Sequence, residues 1–163
     1  MNLESATLVL RTSSLGSSGI NVNSFNNDCT WNIDLQTVLG TIYQKYKRFK
    51  ICLTSVGNGV PNPVLTDANR FLNVNLEGLQ WVNSGYDTTT GAINRTVIAT
   101  TIQINTSTGF SNNFTGEVGF VFNKPNSNNV SFRIFLTNIS NNTINQVQYP
   151  NFCYCFSIYG IDE

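Results

Sequence analysis

Apolar and polar residues alternate with a period of two along most of this chain, and that pattern constrains the fold more than any other feature. Leu8 and Leu10 share a side of ATLVLRT, and Trp31, Ile33 and Leu35 share a side of CTWNIDL. Phe49, Ile51 and Leu53 line up in FKICLTS, with Lys50 and Cys52 on the reverse. Leu72, Val74 and Leu76 oppose Asn73, Asn75 and Glu77 in FLNVNLE. The same reading places Ile98, Ile102 and Ile104 on one side of INRTVIATTIQIN, and Val118, Phe120 and Phe122 on one side of GEVGFVFN. Val130, Phe132, Ile134 and Leu136 follow in VSFRIFLTN, and Phe152, Tyr154, Phe156 and Ile158 close the chain. Alternation of this kind turns one side of a pleated strand toward a core and the other toward solvent. The runs are rich in the β-branched and aromatic residues that strands favour.

Turn residues separate the runs. Gly57, Gly59, Pro61 and Pro63 interrupt VGNGVPNPVLTDAN, and SGYDTTTGAIN, NTSTGFSNNFTG and NKPNSNNV are further connections. Asn, Gly and Pro suit turns because they tolerate or fix unusual backbone angles. A short edge strand fits between Ile20 and Phe25. Only DLQTVLGTIYQKYKRF can hold a helix: Leu35, Val38, Leu39, Ile42, Tyr43 and Tyr46 recur at three and four, and Asp34 can cap its start. Gly40 weakens it. About eight short strands punctuated by turns require two packed sheets. The expected fold is all-β, a single jelly-roll (Greek-key) β-sandwich with one short helix, and residues 1–163 form one domain. The opening MNLESATLVLRTSS, with Glu4 beside a short apolar run, matches neither a signal peptide nor a membrane span.

The charge pattern narrows the function. Nine basic residues balance nine acids, so the formal net charge is zero. Four of the basic residues, Lys45, Lys47, Arg48 and Lys50, crowd into KYKRFK, with Tyr43, Tyr46 and Phe49 among them. Lysines reach phosphates and tyrosines stack on bases, so a nucleic-acid grip is one reading. The zero net charge argues against it, because proteins that neutralise many phosphates carry a basic excess. A solvated strand edge guarded by lysines explains the cluster better, and contact with an acidic partner surface is the third reading. In a regular strand or helix the four charges do not share one face.

No catalytic signature is present. The chain has no histidine, which removes imidazole acid–base chemistry and His-containing zinc sites. The acids are scattered, and sequence gives no reason to pair Asp34 with Glu77 or Glu117 across a glycosidic bond. Cys29, Cys52, Cys153 and Cys155 are expected to be free, mostly buried thiols. A four-sulfur metal site is conceivable, but the CYC spacing is not that of zinc modules. The expectation is therefore no enzyme activity, no cofactor and no metal. One binding function has candidate residues: Trp81, Asn83, Tyr86 and Asp87 in QWVNSGYD supply the aromatic and amide groups that sandwich lectins use on sugars. The competing reading packs Trp81 at a strand end.

Several strands are apolar on both sides. Val121, Phe135, Cys153 and Cys155 face away from the expected core, and a simple sandwich would be polar there. Such residues suggest cover by loops or another subunit. Low charge with abundant amides also suits large protein contacts, where buried charge is costly. The segments LVLRTSS, TWNIDLQTVLGTIYQKYKRFKICLTSV and FCYCFSIYGI, in an Asn- and Thr-rich β chain, resemble the single-jelly-roll minor capsid and penton-type structural proteins of large double-stranded DNA viruses. The resemblance implies a jelly roll without enzymatic activity, made in the host cytoplasm and placed in the virion capsid. It also implies other capsid proteins as partners and a homo-oligomer, trimer or pentamer; the near-neutral charge, without a basic arm, departs from capsid proteins that bind packaged genome and argues against direct nucleic-acid binding. Lys45, Lys47, Arg48, Lys50 and Phe135 are the candidate partner contacts.

Overall fold

The computed structural model describes residues 4–12, 20–22, 28–58, 71–82, 96–103, 110–114, 119–140 and 152–162. Among the described residues ten strands and two short helices follow one another: β1 (Ser5–Arg11), β2 (Ile20–Val22), β3 (Asp28–Asp34), α1 (Leu35–Leu39), α2 (Thr41–Lys45), β4 (Arg48–Asn58), β5 (Phe71–Glu77), β6 (Thr96–Gln103), β7 (Phe110–Asn113), β8 (Gly119–Asn123), β9 (Asn129–Asn138) and β10 (Phe152–Asp162). They form two antiparallel sheets. One runs β1-β10-β4, with β8 and β7 end to end along the far side of β4; the other runs β2-β3-β9-β5-β6.

The pairing is nested. β1 pairs with β10, β3 with β9, β4 with β7 and β8, and β5 with β6. The chain is thus a long hairpin with its tip between β5 and β6. It is rolled until β10 meets β4 in one sheet and β9 meets β5 in the other. That is the jelly roll expected from the sequence.

The alternating residues meet between the sheets. Leu8, Leu10, Ile51, Phe156 and Ile158 from the first sheet join Trp31, Leu72, Val74, Phe132 and Ile134 from the second in one buried cluster. Trp31 meets Tyr154 edge-on at 6.4 Å, and Phe132 meets Phe156 at 5.8 Å. Each such aromatic pair adds about 0.5–1.5 kcal/mol beyond area burial. Among the described residues the buried indole N–H of Trp31 has no hydrogen-bond partner.

The single helix expected over 34–49 is two five-residue helices. Asp34 caps the first: its carboxylate accepts from the Gln36 N–H at 3.0 Å and the Thr37 N–H at 3.3 Å. Gly40 divides them, at φ +55°, where a side chain would be strained. Leu35, Leu39, Ile42 and Tyr43 are buried, and the pair carries the chain from one sheet to the other.

Two bulges alter the expected facing. Leu53 pairs with Phe156 but Ser55 with Cys155, so Thr54 is an extra residue in β4 and Val56 resumes the core side. In β6, Val74 pairs with Thr100 but Asn75 with Ile98, making Ala99 the extra residue. This corrects the expected alignment of Ile98 with Ile102. Val97 and Ile102 are buried, whereas Ile98 points outward and is 45% exposed. Ile104 and Val118 lie outside the described residues.

Candidate functional site

The outer faces of the two sheets hold the residues that packing leaves over. On the second sheet, register aligns Asp28, Phe135, Asn75 and Ile98 across β3, β9, β5 and β6, with Thr30, Arg133, Glu77 and Thr96 in the adjacent row. Arg133 binds both oxygens of Asp28 at 2.8 Å and Glu77 Oε2 at 2.8 Å. Its guanidinium lies 4.4 Å over the Phe135 ring. Hydrogen bonding to Asp28, with further support from Glu77, holds the guanidinium above its ordinary pKa. The flat five-donor fork of arginine suits this bridging role. Both carboxylates are engaged by one cation, so the pair does not form the opposed acid and base of a glycosidase.

Beside this ion cluster is a belt of amides and hydroxyls. Asn75 Nδ2 is shared among Thr137 Oγ1 at 3.0 Å and the carbonyls of Asn73 and Phe135 at 3.2 Å. Thr101 Oγ1 donates to Asn73 Oδ1 at 2.7 Å. Asn73, Asn75 and Thr137 are buried although their strands turn them away from the core. Phe71 and Ile98 flank them, both almost half exposed.

On the first sheet the outward row across β1, β10 and β4 is Val9, Cys155 and Ser55, and the next is Thr7, Ser157 and Cys52. Val9 is exposed, and Cys153, Cys155, Val121 and Tyr159 are half-buried. Cys52 is buried on this outer face, beside Gly119 and the Lys50 stem. Cys29 instead faces the core from the other sheet. The four thiols therefore do not converge on one centre, and among the described residues no three His, Cys, Asp or Glu gather as metal ligands. Burial, aided by Asp28, pushes the Cys29 thiol up to about 12. Burial also raises Cys52, and burial together with Cys155 raises Cys153. These three are thiols rather than thiolates near neutral pH, which is the unreactive form.

The basic cluster is divided between two places. Lys45 ends α2, where it contacts Glu4 at 3.4 Å and lies 5.1 Å over the Tyr46 ring. Lys47 is exposed in the link to β4. Arg48 and Lys50 share the outward side of β4, opposite Phe49 and Ile51. Trp81 is buried, edge-on to Phe120 at 5.9 Å and to Phe122 at 6.2 Å. Its ring is used in packing and offers no open face for stacking on a sugar. Asn83, Tyr86 and Asp87 lie outside the described residues.

In the sequence, Asp28 and Glu77 are two among scattered acids, and nothing there singles out Arg133. The only sequence signal is that alternation puts Arg133 on the outward side of β9; its two partners follow from the strand order, which sets β3 and β5 on either side. Among the described residues no helix is long and apolar enough to cross a membrane. No protein-family model matches the chain, and no curated protein matches it.

Proposed function

We propose that this chain is a non-enzymatic structural subunit that assembles through protein–protein contacts, and that its assembly is a viral capsid. One observation carries the reading: both outer faces of the jelly roll present apolar side chains beside their charged groups. Val9, Val121, Cys153 and Cys155 lie on one face, and Phe71, Ile98 and Phe135 on the other. A sandwich that works alone in water has polar outer faces, and contiguous outward apolar groups mark interaction surfaces. The likeness to single-jelly-roll minor capsid and penton-type proteins supplies the kind of assembly, its partners and its place in the virion. Phe135, Arg48 and Lys50 stand on outward faces where a neighbouring subunit would meet them. Light scattering coupled to size exclusion, with electron microscopy of the same sample, tests the proposal. A discrete trimer or pentamer, or incorporation into particles formed with other capsid proteins, is the expected result. A chain that stays monomeric at high micromolar concentration and never enters particles refutes it.

A further inference from the structure

Cys153 and Cys155 stand two apart in β10, so their side chains leave the strand on one side, opposite the buried Phe152, Tyr154 and Phe156. The ladder is regular on both flanks of this stretch. β1 sets Arg11, Leu10 and Val9 opposite Cys153, Tyr154 and Cys155, and β4 sets Gly57, Val56 and Ser55 opposite the same three. Both thiols are free and half-buried. The Cys153 thiol donates to the Cys155 sulfur and accepts from the Arg11 guanidinium. Gly57, opposite Cys153, has no side chain, so β4 places nothing directly beside that thiol.

The spacing disfavours a direct bond between the two sulfurs. Same-side neighbours in a strand are about 6.8 Å apart, the outer limit for disulfides, whose Cα atoms usually lie about 5.5–6 Å apart. One atom fits between the sulfurs instead. Two metal–sulfur bonds of about 2.3 Å span about 4.6 Å in line, a distance that thiols already in contact reach by a turn about one Cα–Cβ bond. Thiolates select soft ions, and the number of donors narrows the choice. Zinc takes four ligands, and among the described residues no third His, Cys, Asp or Glu joins the pair. Charge narrows it again. Two thiolates and one guanidinium leave a single negative charge, which one monovalent cation cancels, and a half-buried site gains from that balance.

We propose that Cys153 and Cys155 form a two-thiol site for a soft monovalent cation of the copper(I) class, held in line between the sulfurs, with Arg11 as a positioning residue at the Cys153 sulfur. Uptake breaks two S–H bonds and makes two sulfur–metal bonds; two protons pass to solvent and no electron is transferred. Burial holds Cys153 as the thiol in the free chain, so the ion competes with its proton and binding strengthens as the pH rises. The site belongs to the single chain and does not depend on the assembly reading.

Copper(I) supplied to the full chain without oxygen, in competition with the chelator bicinchoninate, tests it. The wild type should hold one ion per chain, with two sulfurs around it by X-ray absorption. Cys153→Ser and Cys155→Ser should each lose it, while Cys52→Ala should keep it. Arg11→Gln should weaken binding about tenfold, as loss of an outer-shell partner does, and Arg11→Lys should recover most of that. Circular dichroism melts check that each variant is folded. A wild type that yields its copper to the chelator overturns the site, and so does copper retained when both cysteines are serine. One ion per two chains overturns the pairing within a chain, and zinc held as tightly as copper(I) overturns the two-coordinate geometry. Unchanged affinity in Arg11→Gln overturns the role of Arg11.

Discussion

Replacing Thr12 by valine tests how the two ends of the jelly roll are tied. Thr12 follows β1 and is fully buried. Its N–H donates to the Phe152 carbonyl at 2.9 Å, and its Oγ1 accepts from the Phe152 N–H at 2.7 Å. The side chain thus takes over from the backbone ladder, whose last pair is Arg11 with Cys153. Valine keeps the shape and the first bond but puts a methyl where the acceptor was. Phe152 is buried, so no water replaces the oxygen.

An orphaned buried donor costs about 1–3 kcal/mol, and full burial puts this one in the upper part of that range. The added methyl returns about 0.8 kcal/mol. A net loss of about 1.5 kcal/mol follows from these two values. With a urea dependence of about 2 kcal/mol per molar, the unfolding midpoint falls by roughly 0.7 M. Amide hydrogen exchange gives the site-specific check: the Phe152 amide, protected in the wild type, should exchange faster in the variant while the middle of β10 stays protected. An unchanged midpoint together with unchanged exchange at Phe152 would refute the account of this bond.

Gly119→Ala should destabilise by about 1–3 kcal/mol, because a Cβ there would overlap Cys52 Sγ and lie 2.9 Å from the Ile51 carbonyl oxygen. Cys52→Ala in the same chain removes the sulfur and should recover part of the loss, read as a coupling energy in a double-mutant cycle of urea midpoints. Asp34→Asn should remove a pH dependence. The Thr37 hydroxyl, then the Thr37 and Gln36 amides, hold the Asp34 carboxyl below its ordinary value of 3.8. Its stabilising effect is therefore complete above pH 3.8 and lost as the pH falls below it. Asparagine still caps the helix but does not titrate, so acid titration of unfolding should be shallower in the variant below that pH.

Much of the sandwich is legible in the sequence because burial writes itself locally. The inward residues of β1, β3, β5, β9 and β10 are those that alternation selects, and Asp34 caps α1 as its position suggests. The misreading in β6 has a physical cause. A bulge adds one residue to one strand and reverses the facing beyond it, and Ala99 has no composition that announces it. Alternation counted through Ile98, Ile102 and Ile104 therefore put Ile98 on the wrong side. In β4 the bulge at Thr54 left Phe49, Ile51 and Leu53 correctly placed, because it follows all three. Strand order is a different matter. Asp28, Glu77 and Arg133 are far apart in sequence, and only the rolling of the hairpin sets β9 between β3 and β5.

If the chain assembles as proposed, its low charge bears on how the second sheet's outer face is covered. A surface covered by a partner must lose its water, and a group whose hydrogen bonds are already made within its own sheet loses little. Asn73 and Asn75 are such groups: one accepts from Thr101, and the other donates to Thr137 and two carbonyls. Lysine or glutamate at those positions would need a counter-charge from the partner or stay in water. Arg133, on the middle strand of this sheet, is held by two carboxylates of its own chain and lies against Phe135. Amides that satisfy one another lower the cost of covering this face, whereas the Asp28–Arg133–Glu77 cluster sets two acids against one base and leaves a formal negative charge for a partner to meet. Asn73 and Asn75 show how asparagine supplies polarity without charge: both are buried on the outer face and bonded within their own sheet.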